Sequence, residues 1–471
     1  MPKTPRHYLD YAASAPLRPE VLDAMLPWLC GPYGDGYGNA NSLYREGKAA
    51  RQALDEARLV LAQAIGATPP EVVFTSGGTE SNNALIAGLS AAWRERGGHA
   101  RQTGRVISSA IEHHAVLEPL KHLKRDGLKV ELLRADRQGF VQPEALAAAL
   151  AAAGAVAGTG ALAAAGSGTG AAAWPGAGHS VALVSIMAAN NEVGSLQDLS
   201  ALAALAHGQG ALFHSDAVQI LGKLPFDVQQ LNIDAASFSA HKLGGPKGVG
   251  AFYLRTGTPF SPQALGGGQE MGRRSGTQNV AGAVGFARAL ALSLAEQQAQ
   301  AKRLSDLRDR LAGELLALDA GIELTVDPRA AGFTAETAAA SQGVAQGTSQ
   351  SATPSASPAT ARGANQAATP NTAPAAAQAP GHQPSYLPNL LSLLIAGHES
   401  ESLIMALDKA GVAVSSGSAC STGSLDPSHV LTALGVPRRA AEGALRISLG
   451  YASTSADIDA LVAALKQILR R

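Results

Sequence analysis

The sequence predicts an α/β fold, with a mostly parallel sheet flanked by helices and joined to a smaller α+β part. Three observations carry that expectation. Short apolar, β-rich runs follow one another along the first half of the chain (EVVFTS, RVISSA, KVELLRA, ALVSIM, ALFHSDA, AASFSA and GAFYL), with helical stretches between them. Most of these runs end in polar or ionisable residues. After Leu254 the pattern changes. A Gly-rich loop leads into a long helix over about 278–318, then a helix over 399–411, short strands around Val414 and Ile447, and a C-terminal helix ending at Arg471.

The elements place chemistry in a definite order. In a doubly wound sheet, ligands bind outside the carboxyl ends of the strands. Thr75-Ser76-Gly77-Gly78-Thr79-Glu80 follows the first run, and Ile111-Glu112-His113-His114 follows the second. Later ends carry Asn190-Asn191-Glu192, then Asp216-Ala217-Val218-Gln219, then Ala240-His241-Lys242. Polar groups at successive ends can converge on one pocket.

Composition narrows the function classes. The 37 basic and 37 acidic residues among 471 give no net field to draw in nucleic acid or an anionic membrane, so neither is expected as a partner. The length allows up to three domains at ~150 residues each. The two cysteines, Cys30 and Cys420, exclude a disulfide framework and point to a reducing compartment, so a cytoplasmic location is expected. Cys30 sits beside apolar Trp28 and Leu29 and reads as buried and inert. The N-terminal stretch MPKTPRHYLDYAASAPL has no apolar core, so no secretory signal is expected. Residues 145–178 carry no charge, but they are mostly Ala and Gly, too weakly apolar to read as a membrane span.

Two stretches read as inserts. One covers about 153–178. The other, about 328–385, is almost entirely Ala, Ser, Thr, Pro, Gln and Gly from 338 onward, too little apolar surface to offset ordering, so disorder is expected there. The domain reading is a large unit over 14–295, and a small one made of 1–13 and 296–471.

Each chemical fragment alone is weak. Ser-Gly-Gly-Thr opening a helix is a phosphate cradle or an ordinary capping turn. Adjacent His113 and His114 point apart with no third ligand near, so no metal is expected. Asp216 alone reads as a cap. Lys242, ending an apolar strand in a Gly-rich turn, is the more telling, because partial desolvation favours the neutral, nucleophilic amine. Together, a phosphate cradle, an acid after a later strand and a lysine after the next fit pyridoxal 5'-phosphate.

At this point the sequence resembles the cysteine desulfurases, fold-type I pyridoxal-phosphate enzymes of the class V aminotransferase group. The motifs are Thr75–Asn83, Glu112-His113, Asn190–Gly194, Asp216–Gln219, Ser239–Gly248, Arg274–Thr277 and Ser415–Ser421. Their order and intervals agree over nearly the whole chain apart from the two inserts. Ser415-Ser416-Gly417-Ser418-Ala419-Cys420 resembles the long cysteine loop of the NifS/IscS-like subgroup.

The resemblance implies roles for residues. Lys242 holds the cofactor and later moves the substrate's Cα proton. His113 stacks on the pyridine ring and takes part in proton transfer. Asp216 pairs with the ring nitrogen and Gln219 with the phenolic oxygen, while Asn191 contacts cofactor and substrate. Gly78, Thr79, Ser239 and His241 bind the phosphate. Thr277 reaches the phosphate of a partner subunit, which implies a homodimer. Arg446 takes the carboxylate of L-cysteine, a task its planar fork suits. Cys420, on a flexible loop over 415–424, takes the substrate sulfur as a persulfide for an acceptor protein such as an iron–sulfur scaffold, and is a candidate ligand to a nascent cluster. Tyr44 stands where many relatives have histidine. The chain stops soon after its last helix, so scaffold docking through a C-terminal extension is not expected. Two other readings share the sequence features: a selenocysteine lyase or aminotransferase of the same group with Cys420 incidental, and a catalytically silent protein of the same fold.

Overall fold

The structure, a computed structural model, describes residues 6–29, 36–97, 104–157, 181–318, 320–329, 385–417 and 427–470. Its centre is a seven-stranded sheet. The strands in chain order are β2 (Val72–Thr75), β3 (Arg105–Ser109), β4 (Lys129–Leu133), β5 (Val181–Ser185), β6 (Leu212–Asp216), β7 (Ala235–Ser239) and β8 (Gly250–Leu254), after a short β1 (His7–Tyr8) that belongs elsewhere. They lie in the order β2-β8-β7-β6-β5-β3-β4, and β8 alone runs against the rest. All seven expected runs form strands of this sheet. β5, β6, β7 and β8 are buried at every position, as strands covered on both faces must be.

Alternation sorts the two faces. Val72 and Phe74 of β2 join one apolar core and Val73 the other, and Ala251 and Tyr253 of β8 oppose Phe252 in the same way. Helix α1 (Pro19–Met25) precedes α2 (Arg45–Ala64), which covers the first face together with α6 (Leu199–Gly208); α2 buries Ala50, Leu54, Ala57 and Leu61 at helical spacing. Helices α3 (Gly78–Gly97) and α4 (His114–Arg125) cover the other. Helix α5 (Pro143–Ala157) runs five residues into the stretch read from sequence as an insert, because the Ala-rich run that opens it has high helix propensity. The remainder of that insert, residues 158–180, and residues 330–384 of the second lie outside the described residues.

A second apolar core forms around the antiparallel sheet β12-β10-β9, built from β9 (Ile322–Leu324), β10 (Leu390–Ile395) and β12 (Ala444–Ser448). The long helix α7 (Val280–Leu316) serves both cores, with Phe286 and Leu290 in the first and Leu304, Leu311 and Leu315 in the second. The N-terminal segment lies against this C-terminal part. β1 pairs in parallel with β11 (Val412–Ala413), and Asp10 bridges to Ser448. That path carries Asp10–Ala13 past the carboxyl ends of β6 and β7, where the polar residues gather.

Candidate active site

A cavity of about 390 Å³ opens at those strand ends. Gly78, Thr79, His113, Asn191, Asp216, Gln219, Ser239, His241, Lys242 and Arg446, each singled out from sequence, all line it. One described sequence-predicted residue does not. Thr277 is exposed and outside the cavity, and Cys420, like Cys30, lies outside the described residues.

The fold holds each group in place. Asp216 ends β6, and its carboxylate accepts from Asn82 Nδ2 at 2.7 Å and from Val218 N at 3.0 Å. Asn82 is buried, and its Oδ1 has no partner among the described residues. Lys242 closes the turn after β7, and its Nζ donates to Ala12 O at 2.5 Å and Ala13 O at 2.9 Å. Gly78 begins α3. A Cβ there would fall 2.7 Å from Val218 Cγ2 and 3.5 Å from Ser239 Cβ, so only glycine lets the helix start reach this close. The N–H groups of the first helical turn have no partner within the helix and form a natural anion cradle.

Burial lowers the pKa of two histidines of the cavity. His113 caps α4, accepting from Ala115 N through Nδ1 at 3.0 Å. Burial first, then the positive charge of Lys242, lowers its pKa, against an opposing pull from Asp216. His241 is pushed down to about 4 by burial and then by Lys242.

Arg446 is only 2% exposed. It donates through Nη1 to Asn191 O at 3.0 Å and through Nη2 to Asp10 Oδ1 at 2.9 Å. Its Nε is buried without a partner among the described residues. A buried guanidinium with an unspent donor is suited to a carboxylate arriving in the cavity.

Sequence reasoning missed several contributors. Asn82 sits one helical turn after Gly78, the same face of α3, and that spacing was the available signal. Asp10 and the carbonyls of Ala12 and Ala13 gave none, because Asp10 and Arg446 are 436 residues apart in sequence. Glu192 also joins distant segments. Its Oε2 accepts from Ser428 Oγ at 2.5 Å and would lie 3.0 Å from a Cβ on Gly417, so it touches residues on both sides of 418–426.

Glu112 gives a prediction of pH dependence. Its Oε1 accepts from Ser109 Oγ at 2.5 Å and from Met187 N at 2.9 Å, and its Oε2 is unpartnered among the described residues. Burial pushes its pKa up to about 8 from 4.5, outweighing the two hydrogen bonds, with Asp216 adding to the rise. A raised folded-state value makes the stability contribution full below about pH 4.5, and that contribution is lost as pH rises toward 8. Glu112→Gln, which stays neutral, is therefore expected to be more stable than wild type by about 1–3 kcal/mol at pH 8 and near equal at pH 4.5. Denaturant unfolding at both pH values checks this. A gap that does not change with pH would contradict it.

The sequence model of the aminotransferase class-V family matches residues 7–170, 175–340 and 378–461. The chain belongs to the aminotransferase class-V family. The cysteine desulfurase IscS of Dictyoglomus turgidum is 36% identical over 464 residues, covering 98% of this chain and 94% of the relative. Within the family, the chain belongs with the cysteine desulfurases. Among solved structures, a NifS-like protein matches with a TM-score of 0.73 and 32% identity, covering 99% of both chains. SspA in complex with cysteine matches with a TM-score of 0.65 and 26% identity, covering 94% of this chain and 98% of that one. No helix among the described residues is long and apolar enough to cross a membrane, and no cluster of three or more His, Cys, Asp or Glu among them could hold a metal ion.

Proposed function

We propose that this chain is a pyridoxal-phosphate-dependent cysteine desulfurase, converting L-cysteine to L-alanine while the sulfur passes to Cys420. The observation that carries the reading is the meeting in one cavity of Lys242, Asp216 and His113, from the carboxyl ends of β7, β6 and β3, with Arg446 of β12. The residues fit the cofactor chemically. They comprise an amine for its aldehyde, a braced carboxylate for its ring nitrogen, and a glycine-lined helix start for its phosphate.

When bound, pyridoxal phosphate would supply an electron sink that acidifies the substrate's Cα–H and weakens its Cβ–S bond. The chain's own residues do the rest. Gly78, Thr79, Ser239 and His241 would hold the phosphate. Asp216, fixed by Asn82, would keep the ring nitrogen protonated, and Gln219 and Asn191 would orient the ring. His113, its pKa lowered by burial, would serve to relay a proton. Arg446 grips the substrate carboxylate, and Lys242 carries the proton at Cα.

The Cys420 thiolate then forms a bond to the substrate sulfur as the Cβ–S bond breaks. The electron pair stays with carbon, which takes up a proton and leaves as alanine, and Cys420 keeps the sulfur as a persulfide. A thiolate is needed because the thiol is a poor nucleophile. The persulfide sulfur is then handed to an acceptor protein such as an iron–sulfur scaffold.

A homodimer is part of this reading. Thr277 is exposed and outside its own cavity, and Leu265, which leads into the same loop, is 81% exposed. Leu43, on the α2 side, is 86% exposed. Contact with a second copy would cover such groups and bring Thr277 to that copy's phosphate site. Residues 14–295 form the large unit, and 1–13 with 296–471 the small one, with α7 crossing between them.

Purified protein incubated with L-cysteine and excess thiol tests the function. Equal amounts of alanine and sulfide are expected; pyruvate and ammonia in place of alanine would overturn the reading. Arg446→Lys is expected to lower kcat/KM roughly 10–150-fold, the loss of one charge-assisted hydrogen bond of about 1.5–3 kcal/mol, chiefly through KM. An unchanged KM for L-cysteine would remove Arg446 from substrate binding.

A further inference from the structure

Behind the cavity lies a lysine that the proposed chemistry does not use. Lys223 Nζ donates to Gln219 Oε1 at 2.9 Å. Gln219 Nε2 donates in turn to Ala12 O at 3.0 Å, the carbonyl that also accepts from Lys242. A side-chain amide has two ends of nearly equal shape, one donating and one accepting, and its surroundings decide which faces where. As an ammonium, lysine has donors only, so in that form it can engage only the oxygen end. Gln219 is thereby turned with its N–H groups toward Ala12, which lines the cavity.

Lys223 sits at a costly place. No carboxylate among the described residues pairs with it. It lines a small cavity of about 60 Å³ beside Lys242, with Tyr11, Tyr451 and the Arg18–Glu296 ion pair around it. Burial, then the like charges of Lys242 and Arg446, push its pKa down to about 7, and Lys223 itself helps depress nearby His241. An apolar side chain of the same length would fill the space without that penalty.

We propose that Lys223 is a positioning residue that locks the Gln219 amide with its N–H groups toward the cofactor's phenolic oxygen. The proposal rests on the reading that the cavity holds pyridoxal phosphate. A donor on that oxygen draws charge away from the neighbouring nitrogen, where Lys242 is joined, and so weakens proton binding there. With Lys223 gone, the Ala12 carbonyl alone still holds the N–H end, the amide turns its oxygen to the phenolic oxygen more readily, and the proton is held more tightly.

The test is the visible absorption of the substrate-free holoenzyme followed against pH. Lys223→Met is expected to raise the midpoint by about one unit, a roughly tenfold tighter hold on the proton and the size of one hydrogen bond to a charged group. Lys223→Arg, which also has donors only, is expected to stay close to wild type. In a Gln219→Ala background Lys223→Met is expected to add no further shift, because the lysine acts through that amide. An unchanged midpoint in cofactor-loaded Lys223→Met, or a shift of equal size without Gln219, would overturn the proposal. If Lys223→Met does not fold, the Arg variant and Gln219→Ala decide: a midpoint unmoved by Gln219→Ala, or moved a full unit by Arg, overturns it. Wild-type protein that takes up no pyridoxal phosphate, with no visible absorption, would instead overturn the underlying reading of the cavity.

Discussion

Lys242→Ala will release neither alanine nor sulfide from L-cysteine. It will also lack the visible absorption that wild-type protein has after purification with pyridoxal phosphate. Two separate losses combine. The amine is the group that fixes the cofactor at the end of β7, next to the Asp216 carboxylate and the helix start at Gly78. It is also the group placed to carry the Cα proton, and loss of proton transfer alone costs on the order of 10²–10⁴-fold. Adding a small amine to the variant restores neither the tether nor its orientation, so recovery is expected to stay far below wild type. The fold should survive, because the hydrogen bonds from Lys242 to the carbonyls of Ala12 and Ala13 lie at the cavity wall. Circular dichroism separates this outcome from unfolding. A Lys242→Ala protein that keeps the cofactor's absorption and activity would place the reactive amine elsewhere.

Cys420→Ser divides the chemistry at the other end. The variant is expected to take up the cofactor as wild type does, since the described residues lining the cavity, Lys242 and Asp216 among them, are unchanged. It is also expected to bind L-cysteine and alter the absorption spectrum on mixing. Sulfide and alanine should both fall by on the order of 10³-fold or more, because a serine hydroxyl stays protonated at neutral pH and cannot accept sulfur as a thiolate does. Spectral change without product is the signature that distinguishes it from Lys242→Ala. Undiminished sulfide release would instead favour a selenocysteine lyase or aminotransferase of the same group, with Cys420 a bystander.

Much of this arrangement was legible in the residues, for a definite reason. The strands of the large sheet are short runs of apolar and small residues, and the topology brings most of their carboxyl ends to one edge. A residue placed just after such a run, as Asp216 and Lys242 are, is therefore near the cavity whatever the exact packing. What could not be read depends on distant pairing. β10 is the run LLSLLI, which follows a long low-complexity stretch and gains its partners, β9 and β12, only in the fold. The Asp10–Arg446 pair and the Ala12 and Ala13 carbonyls on Lys242 join segments more than two hundred residues apart, and no local pattern signals them. Lys223 lies four residues after Gln219 in an irregular turn, and only the direction of one hydrogen bond singles it out.

The most direct test of the central claim is a single turnover. Enzyme in excess would be mixed with L-cysteine without any reducing thiol, and alanine would be measured beside the mass of the peptide that carries Cys420. The account predicts one added sulfur atom on that peptide for each alanine formed, lost again on treatment with a thiol. Alanine formed with no sulfur on that peptide, or sulfur found on Cys30 instead, would contradict it.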